Sequence, residues 1–578
     1  MEKRELLSES GVIITIILVM IPILAGATIA IVKSFGLIRR FRQQKALEEL
    51  RERLAAMPAE EVAELEKRKQ EQAYVVPPRA LSGEDNPVDR KGLVQRVMQE
   101  DIRLFEAKKK SQKRPPVAPE LAKLVLWYLG TAVFWLVFGT TAGEYLGIKF
   151  SRPDIDHVSW LSFGRLRPVH TNAVFWGWAS LAMVGLGYYV VARVCNAPVA
   201  SIRRGYRSLI SMNAAVVLGS VLLMAGINNG GGEYREYIWP VMGLFGYGVV
   251  LSLANFIQTI ARRTTREIYV SNWYIVSAMM FLLVIAFVAY WPGWQTGLGE
   301  SIVQGYYMHQ GVGMWFMFFN LGLMYYFLPQ QLNKPIYSYG IGVLAFWTQI
   351  LFYSVIGTHH FIFSAIPWWL QTVAIIGSVG MIIPVTAGTT NFLMTFKGSW
   401  SKIASSYTLP FYLVGIIFYF TGSMQGTAEA FRFTNQAWHF TDFTVAHSHL
   451  TMYGIISFML WAFIYALVPR LTGKEPPQVM VGIHFWLALT GLLFYTIPLM
   501  IGGTLKGLSW MDGKPFIESV RLMAPYWLWR AIGGTLMWLS HLVFAYNFWR
   551  MVAKRNEIHL PSTAAEMLAA REEAITQS

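Results

Sequence analysis

Histidine is the residue type with the most chemistry to offer in this chain. Eleven occur in 578 residues, and six of them, His170, His309, His359, His360, His447 and His449, fall inside long apolar stretches or at their ends. An imidazole in hydrocarbon needs a partner, so a histidine within a membrane span marks a functional site by default. One alone is equally well explained by a hydrogen bond between helices; six are not. Neutral imidazole is a ligand for heme iron and for copper. His447 and His449 are two apart, about 200° around a helix, so they face opposite ways and cannot share one metal. Each can hold the iron of a separate heme. His359 and His360 adjoin each other ahead of Pro367, at a helix end where the backbone can loosen and turn both rings to one ion, with His309 as third nitrogen. Three imidazoles with an open position make a copper site that binds small molecules. With His170 as an opposite axial ligand, six side chains fill three centres: a low-spin bis-His heme (His170, His449), a five-coordinate heme (His447) and a copper (His309, His359, His360).

The elements that must position these ligands are membrane helices. The composition is 54% hydrophobic and 15% aromatic with only 14% charged residues, and mean hydropathy is +0.39; a soluble protein carries roughly a quarter charged residues. Disorder, a small secreted domain and a cytosolic enzyme are excluded, which leaves a polytopic membrane protein. Runs of the ~20 residues needed to cross a bilayer as helix lie near 11–33, 121–147, 168–194, 207–228, 238–260, 270–291, 302–328, 337–358, 367–395, 406–424, 442–468, 479–504 and 525–552. The expectation is an all-α integral membrane protein: an N-terminal anchor (1–34), a charged cytoplasmic helix with a Pro-containing linker (35–119), a twelve-helix core (120–552) and a cytoplasmic tail (553–578). Cys195 is the only cysteine, so a CxxC pair, an iron–sulfur cluster and a c-type heme attachment site are all excluded.

The net charge of +15 is concentrated in loops, among them Arg203, Arg204 and Arg207, then Arg262, Arg263 and Arg266, then Arg550, Lys554 and Arg555. Basic residues flanking apolar runs orient those loops to the cytoplasm; nucleic acid is not the partner. With the core starting inside, even-numbered helices run inward. His170, His309, His447 and His449 then lie early in the second, sixth and tenth helices, and His359 and His360 end the outward seventh, which places all six in the outer half of the membrane.

These residues resemble the catalytic subunit of the heme-copper oxidase superfamily, most closely its C family, the cbb-type cytochrome c oxidases. The matching stretches are LRPVHTNAVF (166–175), EYREYIW (233–239), EIYVSNWY (267–274), MYYFLPQQLNKPIYSY (324–339), GTHHFIFSAIPWWLQT (357–372), TNFLMT (390–395), WHFTDFTVAHSH (438–449) and WRAIGG (529–534). The resemblance implies a twelve-helix bundle that reduces O2 to water and translocates protons, with two b-type or b-like hemes, one copper and a calcium. It assigns the first His of the HxH pair to the oxygen-binding heme and makes Tyr353, six residues before His359, the redox tyrosine of the active site. Arg167 becomes a heme-propionate partner, Glu233 or Glu236 the calcium-and-propionate carboxylate, and Ser338, Tyr339, Thr348 and Asn391 a proton path to Tyr353. It implies a bacterial inner-membrane location and partner subunits carrying c-type heme.

Three features depart from the pattern. Gln425 stands where the family usually has a glutamate near the oxygen-binding heme. Residues 1–120 have no counterpart in the catalytic subunit. Gly313 follows His309 at the position where related nitric oxide reductases carry a glutamate that supports iron instead of copper, which argues against that relative. A proton-coupled transporter with a histidine relay is the rival from another class, and it predicts a colourless protein.

Overall fold

The computed structural model describes residues 42, 45–64, 67 and 117–553. The expected anchor at 1–34, most of the linker and nearly all of the tail lie outside the described residues. Residues 45–64 are largely helical with a break at 56–58. Residues 119–553 form a separate compact unit of helices, with no strand among the described residues.

Twelve long helices build this unit: α1 Pro119–Ser151, α2 Phe163–Cys195, α3 Ile202–Ala225, α4 Trp239–Ala261, α5 Val270–Tyr290, α6 Gly297–Leu332, α7 Tyr339–Phe361, α8 Trp368–Thr395, α9 Leu409–Glu429, α10 Asp442–Thr472, α11 Gln478–Met511 and α12 Phe516–Val552. Ten of them are long and apolar enough to cross a membrane by length and composition; α9 and α12 complete the set. Burial separates two roles. The apolar windows of α2, α6 and α10 are almost wholly buried, whereas in the other seven candidate spans at most half of the window is. Exposed Trp127, Phe134, Val284, Phe287, Leu351 and Trp347 give the outer helices the apolar surface that lipid requires.

The three buried helices share a local feature. Each carries a π-helical stretch just after its histidines: Ala173–Ala179 after His170, Gly311–Met317 after His309, and Leu450–Ser457 after His449. A π-bulge widens the helix and re-aims the side chains on either side of it, and such bulges concentrate at functional sites. Here they let the histidine-bearing turn and the rest of the helix keep different registers.

The start of α10 is fixed from several directions. Thr441 caps it, its Oγ1 accepting from Phe443 N at 3.2 Å. Asp442 accepts from Lys506 Nζ and from Trp527 Nε1, both at 3.0 Å. α11 approaches closely because Gly503 and Gly507 leave room: a Cβ on Gly507 would overlap the Ala437 carbonyl, and one on Gly503 the Phe443 backbone. Small residues one turn apart are the usual means of bringing membrane helices together. Gly507→Leu is therefore expected to cost ~1–3 kcal/mol through overpacking, read as a lowered Tm of the detergent-solubilised protein. Gly243→Ala, where the space is open, leaves Tm unchanged or slightly raised; equal behaviour of the two variants would refute the packing argument.

Candidate metal and oxygen-reaction site

α7 ends in a 3-10 turn, Gly357–Phe361, and this loosened backbone turns His359 and His360 toward His309 of α6. His359 Nε2 lies 3.0 Å from His309 Nδ1, which lies 3.1 Å from His360 Nε2. One nitrogen cannot donate to both neighbours, whereas an ion ~2.0 Å from each nitrogen satisfies all three. Among the described residues this is the one group of three or more metal-ligating side chains whose ligand atoms converge. His359 Nδ1 is held by Ser378 Oγ of α8 at 2.9 Å, which orients the ring as outer-sphere partners of metal ligands do.

The triad lines a cavity of about 690 Å³ together with His447 and Tyr353. The Tyr353 ring centroid is 5.1 Å from that of His309, and its backbone carbonyl accepts from Gln310. Gly313 touches the same ring, and any Cβ there would overlap it. Across the cavity, His447 Nδ1 lies 3.0 Å from Gln425 Oε1, which leaves Nε2 for a metal. A Cβ on Gly426 would come within 3.3 Å of that Nε2, so the glycine keeps the approach open for a flat macrocycle.

His449, on the other side of α10, faces a second cavity of about 340 Å³. Its Nδ1 bonds Val445 O at 2.9 Å, and His170 Nδ1 bonds Gly139 O at 2.7 Å; both rings thus offer Nε2. They are nearly parallel, with centroids 6.3 Å apart. Two metal–nitrogen bonds of ~2.0 Å plus two ring radii of ~1.1 Å give about the same separation, so the pair fits the axial positions of one heme iron. Gly143 supplies the clearance, since a Cβ there would overlap His170. Arg167, Glu233 and Ser448 border both cavities, which therefore adjoin across α10.

The remaining sequence candidates separate into groups. Arg167 forms an ion pair with Glu233. Glu236, in the loop before α4, is buried and accepts from Asn172 Nδ2 at 3.0 Å; burial pushes its carboxyl above the ordinary range, and the Asn172 bond opposes that. Ser338 and Asn391 are clamped together, Ser338 N donating to Asn391 Oδ1 and Asn391 Nδ2 to Ser338 O, both at 2.9 Å. Tyr339 packs beside Tyr269, and Thr348 donates to Leu344 O of its own helix at 2.7 Å.

Sequence reading passes over several residues. Arg530 and Lys506 line the second cavity as cations, and Arg530 stacks 4.2 Å over Phe150; charge within or beside an apolar run is the signal that marks them. Gln349, one turn before Tyr353, is fully buried, and its side-chain amide meets the Tyr353 hydroxyl. Two further histidines, His484 and His541, also lie in apolar runs. They are buried and meet Tyr465 Oη at 3.1 Å and Thr140 Oγ1 at 3.0 Å, the interhelical role that a lone membrane histidine most simply serves.

Comparison with known proteins bears on this geometry. Residues 123–536 match the family described as cytochrome c and quinol oxidase polypeptide I. A Cbb3-type cytochrome c oxidase subunit CcoN1 of Stutzerimonas stutzeri is 30% identical over 74% of this chain and 94% of its own length. A cytochrome c oxidase subunit 1 homolog of Agrobacterium tumefaciens is 31% identical over 74% of this chain and 82% of its own. In fold, the chain resembles a heme-copper terminal oxidase solved as a dimer by cryo-EM, with TM-score 0.65 at 15% identity over 80% of this chain and 90% of that one.

The Ser378 contact yields a test. Ser378→Ala frees the His359 ring and is expected to weaken metal retention by the triad about 10- to 100-fold, measured by chelator competition on the purified protein. Unchanged affinity would show that Ser378 does not hold the ring.

Proposed function

Because this chain belongs to the cytochrome c and quinol oxidase polypeptide I family, we propose that it is the catalytic subunit of a terminal respiratory oxidase that reduces O2 to water. It is a multi-pass membrane protein, and the family's hemes and copper are its cofactors. The observation that carries the reading is the convergence of His309, His359 and His360 in one cavity with Tyr353 and His447.

When bound, the hemes and copper would supply single-electron transfer and a site for O2. The chain's own residues do the rest. His170 and His449 would hold one heme, His447 would hold the other, and the triad would hold copper. Arg167, Arg530 and Lys506 offer positive charge to heme propionates through charge-assisted bonds. Tyr353 Oη holds a proton beside the oxygen pocket, and its phenol is a further electron source. Protons reach it from the Ser338–Asn391 clamp, with Tyr339 at the entrance and Thr348 and Gln349 on α7 leading to Tyr353; the buried amide of Gln349, beside the Tyr353 hydroxyl, is suited to relaying or ordering water. A calcium ion at Glu233 would have to share that carboxylate with Arg167. Both hemes are read as b-type or b-like, the metal centres as lying in the outer half of a bacterial inner membrane, and the electron-donating partner as a subunit carrying c-type heme.

Purified protein is expected to hold one copper per two hemes; non-heme iron without copper, or absence of a Soret band, would overturn the reading. Tyr353→Phe should keep both hemes and lower oxygen uptake at least ~100-fold, the scale of a lost positioned proton donor.

A further inference from the structure

The loop between α3 and α4 places backbone strain on an aromatic residue. Gly230, Gly231 and Gly232 precede Tyr234, yet Tyr234 itself takes the left-handed conformation, with φ 65°. Glycine adopts that conformation freely, and a bulky side chain rarely does. Strain of this kind persists where the surroundings over-determine it, and it gathers at functional sites. Here the surroundings are specific. The Tyr234 carbonyl accepts from Tyr307 Oη of α6 at 3.0 Å, and the Glu233 carbonyl accepts from Gln304 Nε2 at 2.8 Å. On the following residue, buried Arg235 donates to Ala289 O at 2.9 Å and to Gln295 Oε1 at 2.7 Å.

The side chain held by this backbone stands between the two cavities and lines both. Its ring packs on Phe175, in the π-helical stretch that follows His170, with centroids 4.4 Å apart. Its hydroxyl meets Ser448, the residue between His447 and His449. The Ser448 hydroxyl proton goes to Thr444 O at 2.9 Å, so the phenol is the donor and Ser448 Oγ the acceptor. One side chain thus touches the histidine-bearing parts of α2 and α10 from a loop anchored on α6.

We propose that Tyr234 is a positioning residue for both histidine-bearing faces of α10: its hydroxyl holds Ser448, and through Ser448 it keeps the rings of His447 and His449 in a set relation to each other. A bond to either histidine would bias one ring, whereas a bond to the residue between them acts on both. A helix turn held at this point cannot rotate without breaking the bond, and any such rotation moves both rings. The strained backbone is what brings the phenol to that point. The hydroxyl therefore fixes the path that electrons take from one centre to the other. The inference rests on the reading that His447 and His449 hold heme iron.

The test uses the purified oxidase as wild type, Tyr234→Phe, Ser448→Ala and the double variant. Tyr234→Phe keeps the ring on Phe175 and removes the hydroxyl alone, so a packing role predicts no change. The readouts are the g values of the low-spin ferric heme by electron paramagnetic resonance, which report how the His170 and His449 rings are turned, and the iron–histidine stretching mode of the reduced high-spin heme by resonance Raman. Tyr234→Phe should shift both signals, and Ser448→Ala should shift both in the same direction. The double variant should shift no further than the larger single one, because partners in one bond are not additive. Electron equilibration between the two hemes should slow severalfold in all three. Should Tyr234→Phe not assemble, Ser448→Ala carries the same decision. Unchanged signals with both hemes bound, a shift at one heme only, or additive shifts in the double variant would overturn the inference and leave the oxidase reading standing. A wild-type protein with no Soret band would overturn that reading and the inference with it.

Discussion

The structure depends on one helix presenting imidazoles on opposite faces. α10 carries His447 into the larger cavity and His449 into the smaller, and a two-residue spacing on a 3.6-residue helix permits this division and forbids the alternative of a shared ion. Because both ligands sit in its first turns, a rotation or slide of α10 would displace two centres at once. That constraint accounts for the amount of structure committed to its start: the Thr441 cap, the Asp442 contacts to Lys506 and Trp527, and the glycine-lined approach of α11. Asp442 is buried, and a buried carboxylate is costly unless paired, so its pairing with Lys506 fixes α10 against α11 as well as neutralising charge.

The Nδ1 atoms of His449, His170 and His447 are spent differently. His449 bonds the carbonyl of its own preceding turn, Val445 O, and His170 bonds a carbonyl of α1, Gly139 O. Both are neutral acceptors from main chain, suited to holding a ring still. His447 alone of the three faces side chains, Gln425 and Glu429. Main-chain acceptors cannot vary with sequence, whereas side-chain acceptors can, so of these three rings that of His447 is the one whose surroundings the sequence can tune.

Much of the fold is legible in the sequence because hydrocarbon imposes length and apolarity on every span. The run at 442–468 and the helix Asp442–Thr472 agree closely. Boundaries diverge where helices continue past hydrocarbon: α12 begins at Phe516 rather than 525, since Ser519 and Trp510, joined by a 3.0 Å hydrogen bond, stabilise polar turns that hydropathy discounts. Residue spacing indicates that His447 and His449 diverge and that His359 and His360 converge. It does not reveal the π-helical stretches, which leave no composition signal, nor the contributions of Arg530, Gln349 and Glu429. Arg530 and Glu429 meet groups on other helices far along the chain, and Gln349 is marked only by its burial beside Tyr353, relations that periodicity within one helix does not encode.

Gly313 shows how packing and chemistry constrain each other. The sequence argument concerns the absence of a carboxylate beside His309. The structure adds a steric reason: the Tyr353 ring occupies the space that any side chain at position 313 would need. With the helices as placed, a carboxylate next to the triad and a phenol against it are mutually exclusive. A phenol can offer a proton, whereas a carboxylate would offer a hard oxygen ligand that suits iron better than copper. A single glycine thus decides which kind of group can stand beside the triad, because α6 approaches α7 closely enough that only one of the two fits.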